Sequence, residues 1–437
     1  MLLALLHLAL AAPPNVILVV VESLRADRLS PYGFTERSST PNLERFSKRS
    51  AVFENTVTQA GWTVPAIASL FTAVDPQAHR ALQFRKGKRL EADTLSDSHT
   101  TLAETFAAAG YRTQALLKSV VIDGQRGFAQ GFERYDRVDG DMAEGPSAEQ
   151  LTKAASAWLQ GQIGVEQPFF LYLHYMDPHS SYKPPEPWQT QYRGDYTGPV
   201  DGTHKQIQQD FVAGGKVPSK ADRAALLSYY DGAVAYWDHQ FGELMRFVVA
   251  SGLDPNTIVV VASDHGEAFY EHGRFFHEHV YQENIRIPLI IKAPGIGAVR
   301  LSHWTQLIDV APTLVDLAGL TPDPRWQGLS QAGAMRGEAP TLRTAYAEYA
   351  GYRAAIDTNG MKLILGDGYA KLFDLSKDPT ELRDISGLRM GEVNRMKTIL
   401  EARYNEGRER AGQFSGVAPV PVPADQAEAL KALGYTP

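Results

Sequence analysis

The run NVILVVVES, Asn15 to Ser23, constrains this chain more than any other stretch, because six consecutive apolar residues end without transition on an acid, Glu22. A strand that is apolar on both sides must be covered on both faces, the condition of a central strand in a parallel sheet. Ligands in such sheets gather where the carboxyl ends of the strands open, so Glu22 is placed at the mouth. The same design returns in TIVVVASDHG, Thr257 to Gly266, which ends on Asp264 and His265. A carboxylate at a buried strand end needs a cation or several donors. An adjacent Asp and His offer a hard oxygen and an imidazole nitrogen to one metal.

Further strands are predicted at Ala51 to Phe53, Arg112 to Leu117, Phe169 to His174 and Ile287 to Ile291. Helical patterns lie between them at Pro65 to Thr72, Leu102 to Ala109, Ala148 to Trp158, Lys220 to Val249 and Leu307 to Ala318. This alternation predicts an α/β fold, a mostly parallel central sheet flanked by helices on both faces. Residues 186–217 are polar and aperiodic, a long insertion predicted to face substrate. After Gly319 the pattern changes to short strands separated by turns such as Thr358-Asn359-Gly360, which predicts a small antiparallel sheet. A helix at Gly391 to Arg403, an extended Val417 to Pro423 and a short docked helix follow. The organisation expected is an apolar segment 1–14, a catalytic α/β domain 15–320, and a C-terminal α+β subdomain with tail 321–437.

A formal charge of -7 and no basic stripe exclude a nucleic-acid partner; the cluster Arg85 to Arg89 is short and reads as a solvated loop. Met1 to Ala12 is apolar and of signal-peptide length, without a positive start and too short to span a bilayer. A weak signal peptide, the end of a membrane segment and a translation-start artefact all fit it.

Four strings carry a resemblance: VVVESLRADRLSPYG from Val19, GWTVPAIASLFTA from Gly61, LHYMDPHSSYKPP from Leu173 and VVVASDHGEAF from Val259. With TPNLERF, YQENIRIPLII, QLIDVAPTLVDLAGL and KLFDLSKDPTELRDIS, in this order, the chain resembles the sulfatase family of the alkaline phosphatase superfamily. The resemblance implies an alkaline phosphatase-like fold and a metal-dependent hydrolase or transferase. It also implies a metal set of Glu22, Thr63, Asp264 and His265. Two carboxylates, one imidazole and a hydroxyl suit one divalent ion, zinc or manganese ahead of calcium. Thr63 stands where the family carries its nucleophile, two residues before Pro65. A helix N-terminus favours the anion being attacked, although Thr there is also a common helix cap. His179 and His277 match the family's substrate-gripping and leaving-group positions. His279 is an alternative to His277, and Lys183 is a further anion-binding candidate. Arg25 either pairs with a site carboxylate or forms a structural ion pair.

Three departures bear on the chemistry. The family's paired acids are reduced to Glu22-Ser23, Ile67 replaces the signature Arg, and the chain contains no Cys. Formylglycine made from Cys is therefore closed, and the pattern resembles the phosphoethanolamine and phosphoglycerol transferases. A Thr nucleophile acting on phosphate or phosphonate esters is expected. Two alternatives are a sulfuric ester hydrolase without Cys-derived formylglycine, and an inactive relative that binds anions. The substrate expected is a small-molecule, lipid head-group or glycan ester. Because the family is often exported, the chain is read as exported or membrane-associated through its N-terminus rather than cytoplasmic.

Overall fold

The computed structural model describes residues 12–86, 90–138, 148–277, 279–366 and 368–432. The first eleven residues of the apolar N-terminal segment and residues 87–89 of the basic cluster lie outside these. Among the described residues no helix is long and apolar enough to cross a membrane.

The main sheet has eight strands: β1 (Asn15–Val21), β2 (Ala51–Val57), β3 (Arg112–Leu117), β4 (Arg134–Arg137), β5 (Phe169–Tyr175), β6 (Thr257–Ser263), β7 (Arg286–Lys292) and β8 (Val299–Gln306). Their spatial order is β8-β2-β7-β6-β1-β5-β3-β4. β1 pairs in parallel with β5 and β6. Among the described strands of this sheet only β7 runs against its neighbours, β2 and β6. This is the mostly parallel sheet expected.

Alternation along β1 assigns its side chains to two cores. Val16, Leu18 and Val20 face a cluster that includes Val64, Ile67, Leu70 and Phe71 of helix α1 (Thr63–Thr72). Ile17, Val19 and Val21 face one containing Leu226, Tyr230, Trp237 and Phe241 of the long helix α2 (Lys220–Ala250). Residues 16 to 21 are all 0% exposed, and each buried Val or Leu side chain contributes about 1.5–3 kcal/mol. The strands absent from the sequence expectation, β4 (RYDR) and β8 (VRLSHWTQ), are the two sheet edges. One face of an edge strand meets solvent, so neither carries the apolar run that marks a central strand.

The C-terminal part is an antiparallel meander of β9 (Ala345–Tyr349), β10 (Tyr352–Ile356), β11 (Met361–Gly366) and β12 (Tyr369–Asp374). One face packs Ala355, Leu363 and Leu372 on Val393, Met396 and Leu400 of helix α3 (Met390–Arg410). The other buries Ala347, Ile356 and Phe373 with Val57, Tyr281 and Ile285 of the main unit. The meander is thereby fixed beside the mouth of the large sheet.

Candidate active site

Parallel pairing brings the strand ends to one place. Val21 is level with Tyr175 of β5 and Ser263 of β6, so Glu22, the end of β5 and Asp264 meet. The ladder continues one residue beyond β1, with Glu22 N donating to the Tyr175 carbonyl at 2.9 Å. Ser23 then turns through a left-handed conformation (φ 61) and donates its N–H to Asp264 Oδ1 at 3.2 Å. His265 N donates to the same oxygen at 2.9 Å. Two backbone donors thus fix Asp264 Oδ1, while Oδ2 is buried with no hydrogen-bond partner and lies 3.3 Å from His265 Nε2.

Thr63 reaches this cluster from α1. Trp62 is the N-cap and makes no side-chain cap bond, and Thr63 is the first helical residue. Its hydroxyl is spent elsewhere: Oγ1 donates to Glu22 Oε1 at 2.9 Å and lies 3.3 Å from His265 Nε2. His265 Nδ1 donates to the Gly266 carbonyl at 2.8 Å, which leaves the Nε2 lone pair facing Thr63. The turn before α1 is held close by Gly61, where a Cβ would stand 2.5 Å from the His279 carbonyl oxygen and 3.0 Å from that of His277.

The structure adds His174 to the residues singled out from the sequence. Its Nε2 is 2.9 Å from Glu22 Oε2, and its Nδ1 is 2.7 Å from the Tyr172 hydroxyl. Ligand atoms of Glu22, His174 and Asp264 lie within 4.8 Å of one another, all buried. The Asp264 oxygen without a hydrogen bond, two carboxylates and adjacent imidazoles fit a divalent cation, which would satisfy that oxygen. Burial alone would push the Glu22 carboxyl up, but the hydrogen bond from His174 and the charges of His179, His174 and His265 hold it well below the usual carboxylate range. Asp264 moves the other way, raised by burial against the opposing pull of His265.

His179 and His277 stand over this group. His179 Nδ1 donates to the Ser180 carbonyl at 2.7 Å, and its Nε2 is 4.0 Å from Glu22 Oε1. The His277 ring lies 4.4 Å from that of His265 and 5.6 Å from that of His179. Burial, then the charges of His265 and His179, push the His277 imidazole well below its ordinary range. Beside it, 3.6 Å from Nδ1, is Glu267, whose carboxyl burial pushes up to about 7. Lys118 follows β3, whose last residue, Leu117, is level with His174, and donates to Gln150 at 2.6 Å.

Three sequence candidates sit elsewhere. Arg25 binds the Glu267 carbonyl, Asp27 and Glu271, the structural ion-pair alternative rather than a bond to a site carboxylate. His279 turns toward Glu283, 3.5 Å away, and its Nδ1 accepts from Tyr281 N. Its place as an alternative to His277 is thus taken by a contact with the loop 281–283. Lys183 is half exposed, with Asp201 at 3.9 Å as its charged partner.

Comparison with known proteins bears on the family and the fold. The family model "Sulfatase" matches residues 14–320, and "N-sulphoglucosamine sulphohydrolase, C-terminal" matches residues 270–409. An arylsulfatase of Clostridium perfringens is 24% identical over 444 residues, covering 85% of this chain and 90% of the relative. A choline-sulfatase of Rhizobium meliloti is 24% identical, covering 87% and 84%. Among solved structures, the phosphonate monoester hydrolase SpPMH of Silicibacter pomeroyi superposes with a TM-score of 0.75 at 20% identity, covering 90% of this chain and 95% of that one.

Proposed function

This chain belongs to the sulfatase family of ester hydrolases, and we propose on that premise that it cleaves phosphate or phosphonate esters with Thr63 as nucleophile. The observation that carries this reading is the Thr63 hydroxyl. It is at a helix start yet caps nothing, and its proton is directed at Glu22 Oε1, 2.9 Å away. The position holds Thr in a chain without Cys, so the nucleophile is the unmodified hydroxyl.

Thr63 Oγ1 attacks phosphorus in line, the bond to the leaving oxygen breaks, and a phospho-threonine forms. Glu22 Oε1 is the acceptor nearest the hydroxyl proton. His179 and His277 flank the ester oxygens. An arriving ester anion supplies the negative charge that favours the protonated imidazole of His277, which then donates to the leaving oxygen. The same imidazole afterwards receives the proton of the water or acceptor alcohol that releases the phosphoryl group. A divalent cation held by Glu22, Asp264, His265 and His174 would supply positive charge against the threonine and ester oxygens. The organic part of the substrate occupies a cavity of about 380 Å³ beside His277, lined by Trp62, Phe84, Tyr349, Tyr352 and Arg353.

Sulfate ester hydrolysis is the second reading, favoured by the names of the arylsulfatase and choline-sulfatase relatives. Three measurements decide: the rates of Thr63 variants, the mass of quenched protein, and turnover of an aryl sulfate against a phosphodiester or phosphonate. Thr63→Ala is expected to lose roughly three or more decades in rate, whereas Thr63→Ser retains measurable activity. Intact mass of protein quenched with a nitrophenyl phosphodiester or phosphonate is expected to show a phosphoryl adduct on the Trp62–Pro65 peptide. Near-normal turnover by folded Thr63→Ala would end the nucleophile assignment. An aryl sulfate preferred by more than tenfold would replace phosphate with sulfate.

A further inference from the structure

A histidine from the insertion stands between the two substrate-facing histidines. His204 opens a short helix, His204–Ile207, in the segment between β5 and α2. Its Nδ1 is 2.9 Å from Ser180 Oγ, and the Ser180 carbonyl accepts from His179 Nδ1 at 2.7 Å. Its backbone N–H donates to Ser181 Oγ at 2.9 Å. Its ring stacks on Phe276, with centroids 4.4 Å apart and planes 23° apart, and Phe276 immediately precedes His277. Phe276 itself holds a left-handed backbone (φ 64) that a Phe adopts only when its surroundings impose it. One imidazole thus touches the neighbour of His179 through a polar edge and the neighbour of His277 through its face.

We propose that His204 is a positioning residue of the ester site, fixing His179 through Ser180 and His277 through Phe276 so that the two rings converge on one tetrahedral ester. This rests on the function proposed above and goes beyond it by giving the insertion a part in leaving-group departure. A charged ring at this place would set a positive charge against the protonated His277 that leaving-group departure requires, so the positioning role belongs to the neutral ring. Burial, followed by the charge of His179, lowers the His204 imidazole to about 4. Its Nε2 is buried without a hydrogen-bond partner, so neither solvent nor another side chain stabilises a charged ring. A loop histidine serving only to close the segment 182–203 would need the Ser181 and Ser180 contacts but not the stack on Phe276.

The test uses the full chain and two phosphodiester or phosphonate substrates, one with a nitrophenyl and one with a simple alkyl leaving group. His204→Ala is expected to lower kcat/KM about 10- to 100-fold, the scale on which supporting partners and small displacements of catalytic groups act. The loss should be larger for the alkyl ester, which depends more on His277 as proton donor. His204→Phe keeps a ring over Phe276 but loses the bond to Ser180; it should raise KM and spare the leaving-group dependence. His204→Asn keeps a polar edge but loses the stack; it should lower kcat with the alkyl ester most. Thermal unfolding of each variant is measured in parallel. Wild-type kcat/KM in all three folded variants would overturn the proposal, as would losses equal for both leaving groups in His204→Ala and His204→Asn. A phosphoryl adduct at Thr63 is scored in the wild-type protein. Its absence there would reject the nucleophile, whereas leaving-group-independent kinetics with the adduct present would reject the role of His204 alone.

Discussion

A buried histidine away from the site, His79, couples stability to acid. His79 is 3% exposed; Ala81 N donates to its Nδ1 at 3.1 Å, and its Nε2 lies 3.1 Å from Ser69 Oγ. That leaves no room for a second ring proton, and burial, with the charge of His99, lowers the imidazole to about 3. Above 6.5 the ring is neutral in both folded and unfolded chains and favours neither. As pH falls below 6.5 the unfolded chain takes up the proton and the folded one does not, so stability is lost progressively toward 3. The loss attributable to His79 is at most about 2 kcal/mol on going to pH ~5. Urea unfolding at pH 7 and 5 should show a shallower decline for His79→Gln than for wild type, and equal declines would remove His79 from the account.

The elements around the site are spaced by backbone contact as much as by side chains. α1 enters the sheet mouth directly after Gly61, and the loop carrying His277 and His279 crosses this glycine. Because the atoms a Cβ would meet are backbone oxygens, they retreat only by moving the backbone at His277 and His279. Gly61→Ala is therefore expected to displace His277 by a substantial fraction of an ångström and lower kcat by about 100-fold. Binding of the metal and the fold should survive, as read by metal content and near-native circular dichroism. A Gly61→Ala enzyme with wild-type kcat would show that the close approach does not position the histidine. Gly266 is pinned likewise, a Cβ there standing 2.0 Å from the Glu283 carbonyl oxygen, so the strand end bearing Asp264 and His265 cannot shift independently of the 281–285 turn.

Across the whole molecule, the C-terminal meander is tied to the catalytic unit by charge as well as by packing. Lys362 of β11 and Glu381 form an ion pair of 2.7 Å with both side chains 0% exposed. Glu381 Oε2 also accepts from Gln282 N at 2.6 Å, and its carbonyl lies 3.2 Å from His272 Nε2. Burial raises the Glu381 carboxyl and lowers the Lys362 amine, while the charge of each pulls the other back toward its ionised form. Glu381→Gln leaves a buried ammonium without its counter-charge and is expected to destabilise the protein by about 3–5 kcal/mol. The double change Lys362→Met with Glu381→Leu should recover much of that loss, because apolar groups of similar volume replace a fully desolvated pair. Chemical denaturation of both variants and the wild type checks this, and a Glu381→Gln protein as stable as wild type would show that the pair contributes nothing to the junction.

The parallel sheet and the strand-end acids were legible in the sequence because they follow from local composition, and the family was legible through the resemblance carried by the motif strings and their order. Six apolar residues running into Glu22, and five into Ser263-Asp264-His265, specify buried strands and place their polar ends without reference to the rest of the chain. Thr63 was legible through the resemblance, which sets the family's nucleophile two residues before a Pro, but whether its hydroxyl capped a helix or met a carboxylate was decided by the approach of α1 to β1. His174 could not be singled out, since a histidine within FFLYLHY reads as an ordinary buried strand residue. The parallel register Val20 with His174 sets it beside Glu22. His204 lies 24 residues from Ser180 in an aperiodic segment, and only the folded loop brings it there. Arg25 and His279 show the converse, residues near the motifs in sequence whose side chains the tertiary structure sends to Glu271 and Glu283. Local sequence determines which segments are buried and where a strand must stop. The pairing of strands and the crossing of loops determine which side chains then share a space, because those contacts join residues that no sequence spacing relates.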